Sequence, residues 1–320
     1  MTDMQLQLPK VSILIPVFNR EDYIAECIQS ALSQNFTDFE VVVVDNASDD
    51  GTWEICQQFA ALDQRVRIFR NASNIGPVRN WRRCAQEAKG EYSKILFSDD
   101  CLEPNCLSEL VPKLGNSDIA LVYCAARIGK TREETTIAYS TDVSSILSSS
   151  QFFNLVLSGK APVSPGAVLL RTNDLLNNLH LQFPTSTPRE FEKNGAGPDV
   201  MILLLTAKNY LHVANISMPL VYFRAHSESF SVANKNNDVI KGYVSAISLF
   251  LIGNYGYQSW ISYLAYSWLR QMMVGRYWVN PKAYLIEYEG DGSLIEVFQL
   301  ILNSVWCLRG VLRRENRFVK

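Results

Sequence analysis

The sequence predicts an α/β fold in which a mostly parallel sheet is flanked by helices. Apolar runs without polar alternation, at residues 11–15 and 39–44, are typical of strands whose two faces are both covered by helices. Helical patterns separate these runs, so strands and helices alternate up to residue 97. Acidic clusters at 45–50 and 99–100 directly follow apolar runs. Ligands of such folds bind at the carboxyl ends of the strands, so both clusters are candidate site residues.

Each element of the first half follows from its local pattern. The apolar run at residues 11–15 predicts the first strand, and Pro16 is expected to stop it because proline has no amide hydrogen. Asn19 is a favoured N-cap residue, so the first helix is expected to follow it. The other predicted elements, in order, are a strand at 39–44, a helix at 52–61, a strand at 66–69, a helix at 77–88, a strand at 92–97, a helix at 104–114 and a strand at 119–123.

The next part of the chain is less regular. Residues 127–150 are rich in serine and threonine, which predicts an irregular or mobile excursion. The serines at 148–150 are expected to start a helix that contains Phe152 and Phe153. A further strand is predicted at about 167–170.

The C-terminal part is predicted to be helical. No charged residue occurs between Lys241 and Arg270, but residues 253–259 divide this stretch into two segments that are each short for a membrane span. This division predicts a helical hairpin. Residues 295–311 form an amphipathic pattern with a basic end, which suits anionic lipid headgroups. These helices are expected to pack on the main domain, to form a dimer contact or to lie on a membrane surface.

Composition excludes some classes of partner and compartment. Thirty basic and 32 acidic residues give a net charge of −2, which argues against a nucleic-acid partner. The seven cysteines form no CxxC pair, and their odd number argues against a disulfide framework. The first residues lack the pattern of a signal peptide. We therefore expect a cytoplasmic protein, with the inner face of the membrane as a further location.

Five short segments stand out in the first half of the chain, namely Pro16–Glu21, Val44–Thr52, Asn74–Gly76 with Arg79 and Asn80, Gly90–Tyr92 and Ser98–Asp100. In this order they resemble the motifs of family 2 glycosyltransferases with the GT-A fold, of the type that assembles bacterial surface polysaccharides. The resemblance covers about residues 9–230. The resemblance implies a GT-A domain over residues 1–235, with a nucleotide-sugar half at about 9–125 and an acceptor half at about 126–235, and a helical C-terminal extension over 236–320.

The resemblance also implies an activity. A member of this family transfers a sugar, with inversion, from a nucleotide-diphosphate sugar to an acceptor hydroxyl. We expect a UDP- or TDP-linked donor, and a saccharide or lipid-linked acceptor in polysaccharide or glycolipid assembly.

By the same resemblance, donor-binding residues come from the first half of the chain. Asp45 would accept the imide N–H of uracil or thymine, Phe18 would pack near the base, and Arg79 would reach the base or the phosphates. Capping of the following turn is the alternative role of Asp45, and a surface salt bridge is that of Arg79. The remaining predicted nucleotide-sugar contacts are Pro16, Asn19, Glu21, Asn74, Ser98 and Asp99.

Asp99, Asp100 and His226 are the residues predicted to bind Mn²⁺ or Mg²⁺. In the family the metal motif is usually Asp-any-Asp, but here its first acidic position is Phe97 or Ser98, so Asp99 becomes the main candidate ligand. Residues 222–226, with Ser229 and Ser231, resemble a closing motif in which Arg and His approach the diphosphate and the metal. The alternative is a carboxylate pair that caps the helix near residue 104.

Asp199 is the predicted catalytic base. Residues 195–200 resemble the family's second acidic motif, in which an Asp at a helix start removes the acceptor proton. Its alternative role is to stabilise the helix N-terminus, and Glu190 and Glu192 are reserve candidates for the base.

Two other enzyme classes lack their characteristic motifs in this sequence. A dinucleotide-dependent oxidoreductase lacks support because residues 16–19 replace the G-x-G-x-x-G motif. A sugar nucleotidyltransferase would need a glycine-rich loop bearing Arg and Lys after the first strand, and this loop is missing. The alternative that the protein binds nucleotide sugars but has lost catalysis stays open.

Overall fold

A ten-stranded mixed sheet forms the centre of the computed structural model, which describes residues 8–226, 238–275, 278–313 and 318–319. The strands are β1 Val11–Val17, β2 Phe39–Asp45, β3 Val66–Arg70, β4 Tyr92–Ile95, β5 Cys101–Leu102, β6 Ile119–Gly129, β7 Thr135–Ala138, β8 Ser145–Ser148, β9 Val168–Arg171 and β10 His212–Arg224.

Helices flank the sheet and continue beyond it. They are α1 Ile24–Leu32, α2 Thr52–Leu62, α3 Pro77–Glu87, α4 Cys106–Leu114, α5 Ser149–Leu157, α6 Thr172–Asn178, α7 Phe191–Asn194, α8 Pro198–Lys208, α9 Asp238–Tyr255, α10 Tyr257–Gly275, α11 Pro281–Glu287 and α12 Leu294–Arg313.

The sheet has the order β3-β2-β1-β4-β9-β6-β10-β5. The first four of these strands pair in parallel, as do β6 and β10, whereas β9 and β5 pair antiparallel to their neighbours. The short strands β7 and β8 pair with β6 and β10 at the edge. The predicted α/β class, with a mostly parallel sheet flanked by helices, is confirmed.

Two hydrophobic clusters lie on opposite faces of the sheet. Successive residues of a strand point to opposite faces, so in β1 Leu14 packs into one cluster while Ile13 and Ile15 pack into the other. In β2, Val42 and Val41 divide in the same way. Burial on both faces explains why these strands read as continuous apolar runs.

The prediction that Pro16 stops the first strand was wrong, because β1 continues to Val17. Pro16 pairs in register with Val44 of β2. Its nitrogen points to the same side as the carbonyl of Leu14, which faces β4, and β4 pairs with β1 only as far as Leu14. The missing N–H of Pro16 therefore costs no ladder hydrogen bond.

Asn19 is not the N-cap of α1, which begins five residues later at Ile24 after a turn. Its backbone adopts a left-handed conformation with φ of 48°. Asparagine tolerates this conformation better than most residues, and its side chain bonds to the loop after β2 instead.

Two other predictions need correction. The strand predicted at 92–97 ends at Ile95, because the chain turns there and the amide of Asp100 donates to the carbonyl of Phe97. Residues 127–150 are not irregular throughout, since β6 extends to Gly129 and β7 and β8 follow. The helix start at 148–150 is confirmed by a capping box between Ser148 and Gln151.

The C-terminal helices pack against the sheet domain. The predicted hairpin is present as α9 and α10, and Leu251 and Trp260 from these helices join the same hydrophobic cluster as Phe153 of α5. At the end of the chain, the ring of Phe318 lies 5.3 Å from that of Tyr266. Among the described residues, no helix is both long enough and apolar enough to cross a membrane.

Candidate active site

A cavity of about 640 Å³ lies at the carboxyl ends of β1, β2 and β4 and extends to α8 and α9. Its wall includes seven of the predicted site residues, namely Pro16, Phe18, Asn74, Ser98, Asp99, Asp100 and Asp199. Asn19, Glu21, Asp45, Arg79 and His226 are not part of this wall. The fold therefore brings the predicted metal-binding and catalytic carboxylates to one cavity.

Asn19 and Glu21 join the loop after β1 to the loop after β2. The side-chain amide of Asn19 donates to Asp49 at 2.6 Å and accepts from the Asp49 amide at 3.1 Å. The carboxylate of Glu21 accepts from the Gly51 amide at 2.8 Å. These bonds hold the two loops together.

Asp45, at the end of β2, is fully buried. Its carboxylate accepts hydrogen bonds from the amide and the hydroxyl of Ser48, and it pairs with the guanidinium of Arg70 at 3.0 Å. Asp45 thus fixes the turn that follows it. Its contact with a nucleotide base stays a prediction.

A network of hydrogen-bonded asparagine side chains borders the cavity. Of these residues, only Asn74 was predicted as a site residue. The carbonyl oxygen of Asn46 accepts from Asn71 at 2.9 Å and from the Ile75 amide at 3.0 Å, and its amide donates to Asn74 at 2.8 Å. Asn80 accepts from Asn71 and donates to the backbone of β2. Asn46 and Asn80 belong to the segments that resemble the family motifs, and this is the sequence signal that could have identified them as site residues.

Arg79 forms an ion pair with Glu192 at 2.7 Å, which connects α3 to α7. Glu190 pairs with Lys193 on the surface. Neither reserve base candidate is part of the cavity wall. The geometry therefore favours Asp199 over Glu190 and Glu192.

Asp99, Asp100 and His226 form a compact group at the end of the loop after β4. The Oδ2 atom of Asp99 lies 2.9 Å from Nε2 of His226. The Oδ1 atom of Asp100 accepts from the Arg224 amide at 3.0 Å, and Nε of Arg224 donates to the Asp99 carbonyl. Burial, with the nearby charge of Asp99, raises the pKa of Asp100 well above its usual value. Ser229 and Ser231 of the same predicted motif lie outside the described residues.

These groups fit a divalent ion that also binds a diphosphate. In the part of the chain that the structure describes, no cluster of three or more His, Cys, Asp or Glu side chains is arranged to hold a metal by itself. Mg²⁺ and similar hard cations are commonly held by one or two carboxylates together with substrate phosphates. Asp99 and His226 could supply such a partial set.

Asp199 lies in the first turn of α8. Its Oδ1 atom accepts from the amides of Gly197 and Val200 at 2.9 and 2.7 Å, and its Oδ2 atom accepts from the hydroxyl of Tyr243 at 2.6 Å. Burial raises the pKa of Asp199 to about 7, and these hydrogen bonds partly offset the effect of burial. A carboxyl group with this pKa can accept a proton near neutral pH.

Further aromatic and cationic residues complete the wall, and of these Trp81 and Tyr243 were not predicted. Trp81 and Phe97 lie with ring centroids 5.4 Å apart. Arg224 occupies the wall beside Asp100. Tyr243 comes from α9, 44 positions after the residue it contacts, so no local sequence signal pointed to it.

Comparison with known proteins agrees with this architecture. The family model described as Glycosyl transferase family 2 matches residues 12–174, about half of the chain. The glycosyltransferase GlyG of Streptococcus pneumoniae serotype 4 is 31% identical over 112 residues, which are 35% of this chain and 37% of GlyG. The GalNAc(5)-diNAcBac-PP-undecaprenol beta-1,3-glucosyltransferase of Campylobacter jejuni is 35% identical over 107 residues, which are 33% of this chain and 35% of that enzyme. The chain therefore aligns with just over a third of the length of these curated relatives.

Solved structures share the fold across nearly the whole chain. The structure of S. aureus TarS 1-349 in complex with UDP-GlcNAc has a TM-score of 0.62 at 18% identity and covers 96% of this chain and 92% of TarS 1-349. Its complex with UDP has a TM-score of 0.57 at 17% identity, covering 94% and 92%. Because the family model matches residues 12–174, half of the chain, the chain belongs to glycosyltransferase family 2.

Proposed function

We propose that this protein transfers a sugar from a nucleotide-diphosphate sugar to an acceptor hydroxyl, with inversion at the anomeric carbon. The observation that carries the proposal is a single cavity that joins two groups of residues. On one side are the loops after β1, β2 and β4 with Asp99, and on the other is the buried carboxylate of Asp199. A donor and an acceptor could meet between them.

A UDP- or TDP-linked sugar is the proposed donor. The motif position of Asp45 supports recognition of a base with an imide N–H, and the family relatives support a nucleotide-sugar donor. The cavity wall also offers Phe18 and Asn46 near the end of the same strands. In this proposal the rigid turns around Asp45 position the base, while the loop after β4 receives the diphosphate.

Mn²⁺ or Mg²⁺ is the proposed cofactor, with Asp99 and His226 as its protein ligands and Asp100 beside them. When bound, such an ion neutralises charge on the diphosphate and stabilises the departing nucleotide. Arg224 adds a permanent positive charge at the same side of the cavity.

Asp199 is the proposed base. It takes the proton of the acceptor hydroxyl as that oxygen bonds to the anomeric carbon. The bond between the anomeric carbon and the phosphate oxygen breaks, and its electron pair leaves with the nucleoside diphosphate. One displacement of this kind inverts the anomeric carbon, and it needs no covalent intermediate.

The acceptor is proposed to be a saccharide on a lipid carrier. This proposal takes its support from the Campylobacter jejuni relative, whose name includes an undecaprenol-linked acceptor. It also takes support from α12, whose outer face is apolar. Leu294 is 88% exposed, Ile295 71% and Phe298 63%, and Leu302 and Trp306 are about half exposed.

We propose that this face of α12 rests on an anionic membrane surface, at the cytoplasmic side. The apolar side chains would enter the interface, and the C-terminal residues that follow supply complementary charge, since five of residues 309–320 are basic and one is acidic. The rest of the chain has the opposite net charge. A helix that lies parallel to the membrane surface in this way would hold the protein near a lipid-linked acceptor.

The membrane proposal is tested by sedimentation with vesicles of phosphatidylcholine, with and without phosphatidylglycerol. The full chain should bind the anionic vesicles, and the double variant F298S/W306S should bind them roughly tenfold less because it loses apolar burial. L62S is the matched control, since Leu62 is an exposed apolar residue on another helix. Equal binding by all three proteins would contradict the proposal. A dimer that the double variant abolishes would assign the face to a second copy.

The catalytic proposal is tested by incubating UDP- and TDP-sugars with saccharide acceptors and following nucleotide release and product configuration by NMR. We expect transfer with inversion, and its loss in Asp199→Asn. Nucleotide binding without turnover under any of these conditions would favour the catalytically degenerate alternative. A product of retained configuration would contradict the single displacement.

A further inference from the structure

The proposed base is contacted by a helix outside the sheet domain. Tyr243 belongs to α9, which follows the boundary that we propose at about residue 235. Its hydroxyl donates to Oδ2 of Asp199 at 2.6 Å, and its side chain is also part of the cavity wall. The C-terminal helices therefore reach the same cavity as the nucleotide-binding loops.

The hydrogen bonds divide the two oxygens of Asp199 into different roles. Two backbone amides, of Gly197 and Val200, occupy Oδ1. Tyr243 donates to Oδ2, and a carboxylate oxygen can accept more than one hydrogen bond. Oδ2 thus retains capacity for the proton of an acceptor hydroxyl, in an orientation that the Tyr243 bond defines.

A close backbone approach holds α9 in this position. A Cβ atom at Gly242, the residue before Tyr243, would lie only 2.3 Å from the carbonyl oxygen of Ala196. The loop at residues 195–197 leads directly into α8 and Asp199. The absence of a side chain at Gly242 therefore allows the helix that carries the tyrosine to pack against the loop that carries the base.

A second anchor lies one turn further along the chain. Nε of Arg189 donates to the hydroxyl of Ser245 at 2.5 Å, and the same guanidinium pairs with Glu287 of α11 at 2.8 Å. Ser245 is fully buried. These contacts fix the rotation of α9 about its own axis, which decides where Tyr243 points.

We propose that Tyr243 is a positioning residue for Asp199, and that the C-terminal helices thereby form part of the catalytic site. The inference rests on the proposed function of Asp199 as the base. Tyr243 holds the carboxylate in one rotamer and stabilises its ionised form through the hydrogen bond to Oδ2. It does not itself exchange a proton with the substrates.

The surroundings of Asp199 give the sign of the effect. Within the part of the chain that the structure describes, this carboxyl group interacts with Tyr243 from α9, with Tyr139 after β7 and with the amides at the start of α8. Burial and the charge of Asp199 raise the pKa of Tyr243 well above its usual value, so the tyrosine stays a donor in the working range of pH. Loss of its hydroxyl should raise the pKa of Asp199.

The test is the variant Tyr243→Phe, which keeps the ring and removes the hydrogen bond. The full chain is labelled with ¹³C at the aspartate carboxyl groups, and the signal of Asp199 is identified by its loss in Asp199→Asn. We expect its NMR titration midpoint to rise by about 1 pH unit, the effect of losing one hydrogen bond to a charged group. The acid limb of the pH profile of kcat/KM should move upward by the same amount.

Two further variants separate positioning from general destabilisation. Tyr255→Phe removes a hydroxyl from the same helix, away from the cavity, and should leave the titration of Asp199 unchanged. Gly242→Ala keeps the tyrosine but opposes the approach of α9, so it should raise the same midpoint. The NMR titration does not depend on turnover, so it tests the positioning role of Tyr243 even if the catalytic proposal fails. An unchanged midpoint in Tyr243→Phe would overturn it.

Discussion

Asp99 and Asp199 illustrate how the surroundings of a carboxyl group can separate two roles. Asp99 lies beside an imidazole and a guanidinium, which suits a cation and a diphosphate. Asp199 is buried with a tyrosine and two amides as its hydrogen-bond partners, and its pKa is raised to about 7. A carboxyl group that must accept a proton benefits from the second environment.

The raised pKa of Asp199 predicts the pH dependence of transfer. The base must be ionised, and its ionised fraction falls as the pH drops below about 7, so kcat/KM should fall about tenfold per pH unit there. Asp199→Asn should reduce kcat by about 100-fold or more and abolish this limb. Steady-state kinetics from pH 5 to 9 is the measurement, and a flat profile in the parent protein would contradict the assignment.

The same pKa predicts an effect on stability. Folding raises the pKa of Asp199 from about 3.9, the value in an unfolded chain, so the folded state favours the protonated form. Its contribution to stability is therefore present below about pH 4 and is lost as the pH rises to about 7. The thermal unfolding midpoint of Asp199→Asn should fall less between about pH 4 and about pH 7 than that of the parent protein. Midpoints of the two proteins that change in parallel with pH would argue against burial of this carboxyl group.

The proposed metal-binding role of Asp99 predicts an effect on metal-dependent nucleotide binding only. Asp99→Asn should weaken the binding of UDP in the presence of Mn²⁺ by roughly tenfold, the usual scale for loss of one charged contact, and leave binding without metal unchanged. Isothermal titration with Mn²⁺ and with chelator measures both values. Asp63→Asn is the control, because Asp63 pairs with Arg65 away from the cavity. Identical metal dependence in the parent and Asp99→Asn would transfer the ligand role to another residue.

The site residues that could be predicted from the sequence lie near strand or helix ends, within short motifs. Asp99 and Asp100 were predicted from the apolar run before them and from the family resemblance, Asp199 was predicted from the resemblance, and all three line the cavity. Asn19 was misassigned as a helix cap, because its side chain had a competing partner in Asp49 that lies 30 positions away. Tyr243 could not be predicted, since its contact depends on how two distant helices pack.

At the scale of elements, α8 and α9 form the unit that positions the base. The backbone bends sharply before α8, where Gly195 and Gly197 have φ angles of 75° and 123° and lie against the rings of Trp81 and Phe191. Side chains are disfavoured in such conformations. Helix α9 then packs on this loop through Gly242.

Gly242→Ala is predicted to disturb this unit while the nucleotide-binding half stays intact. The added methyl group meets backbone rather than a flexible side chain, so the protein should lose roughly 1–3 kcal/mol of stability and part of its kcat. Gly253→Ala on the same helix is the matched control, because a Cβ there meets nothing within 4 Å. That control should be neutral or slightly stabilising through helix propensity. Equal unfolding midpoints for the two variants would contradict the close approach.

The elements with the clearest apolar runs were the most predictable. The alternating strands and helices up to α4 were expected nearly as found, because each buries an unambiguous face. Between residues 127 and 150 the pattern failed, since β7 and β8 are short edge strands with partly exposed residues that pair with distant partners. Their formation depends on β6 and β10 rather than on their own composition.

At the scale of the whole molecule, the end of the chain returns to the sheet domain. The side chain of Asn154 in α5 accepts from the amide of Val319 at 3.1 Å and donates to its carbonyl at 2.8 Å. Phe318 is buried and contacts the rings of Tyr263 and Tyr266 in α10. The chain end thus links α5 to the C-terminal helices.

Phe318→Ala should therefore lower the stability of the whole protein. Truncation of a buried phenylalanine costs about 3–5 kcal/mol when the site cannot collapse, so the unfolding midpoint should fall clearly. The binding of UDP should be unchanged, because Phe318 is not part of the cavity wall. Phe298→Ala in α12, at an exposed position, is the control and should leave the midpoint nearly unchanged. Similar midpoints for both variants would contradict the packing of the chain end.

The proposed binding of a nucleotide-diphosphate sugar is tested most directly by the unfolding midpoint in the presence of UDP, TDP, GDP or CMP, each with Mn²⁺ and with chelator. A ligand that binds only the folded protein must raise the midpoint. We expect a rise with UDP or TDP that needs Mn²⁺, and little effect of GDP or CMP. Unchanged midpoints with all four nucleotides in the presence of Mn²⁺ would contradict the claim that this cavity binds a nucleotide-diphosphate sugar through a divalent ion.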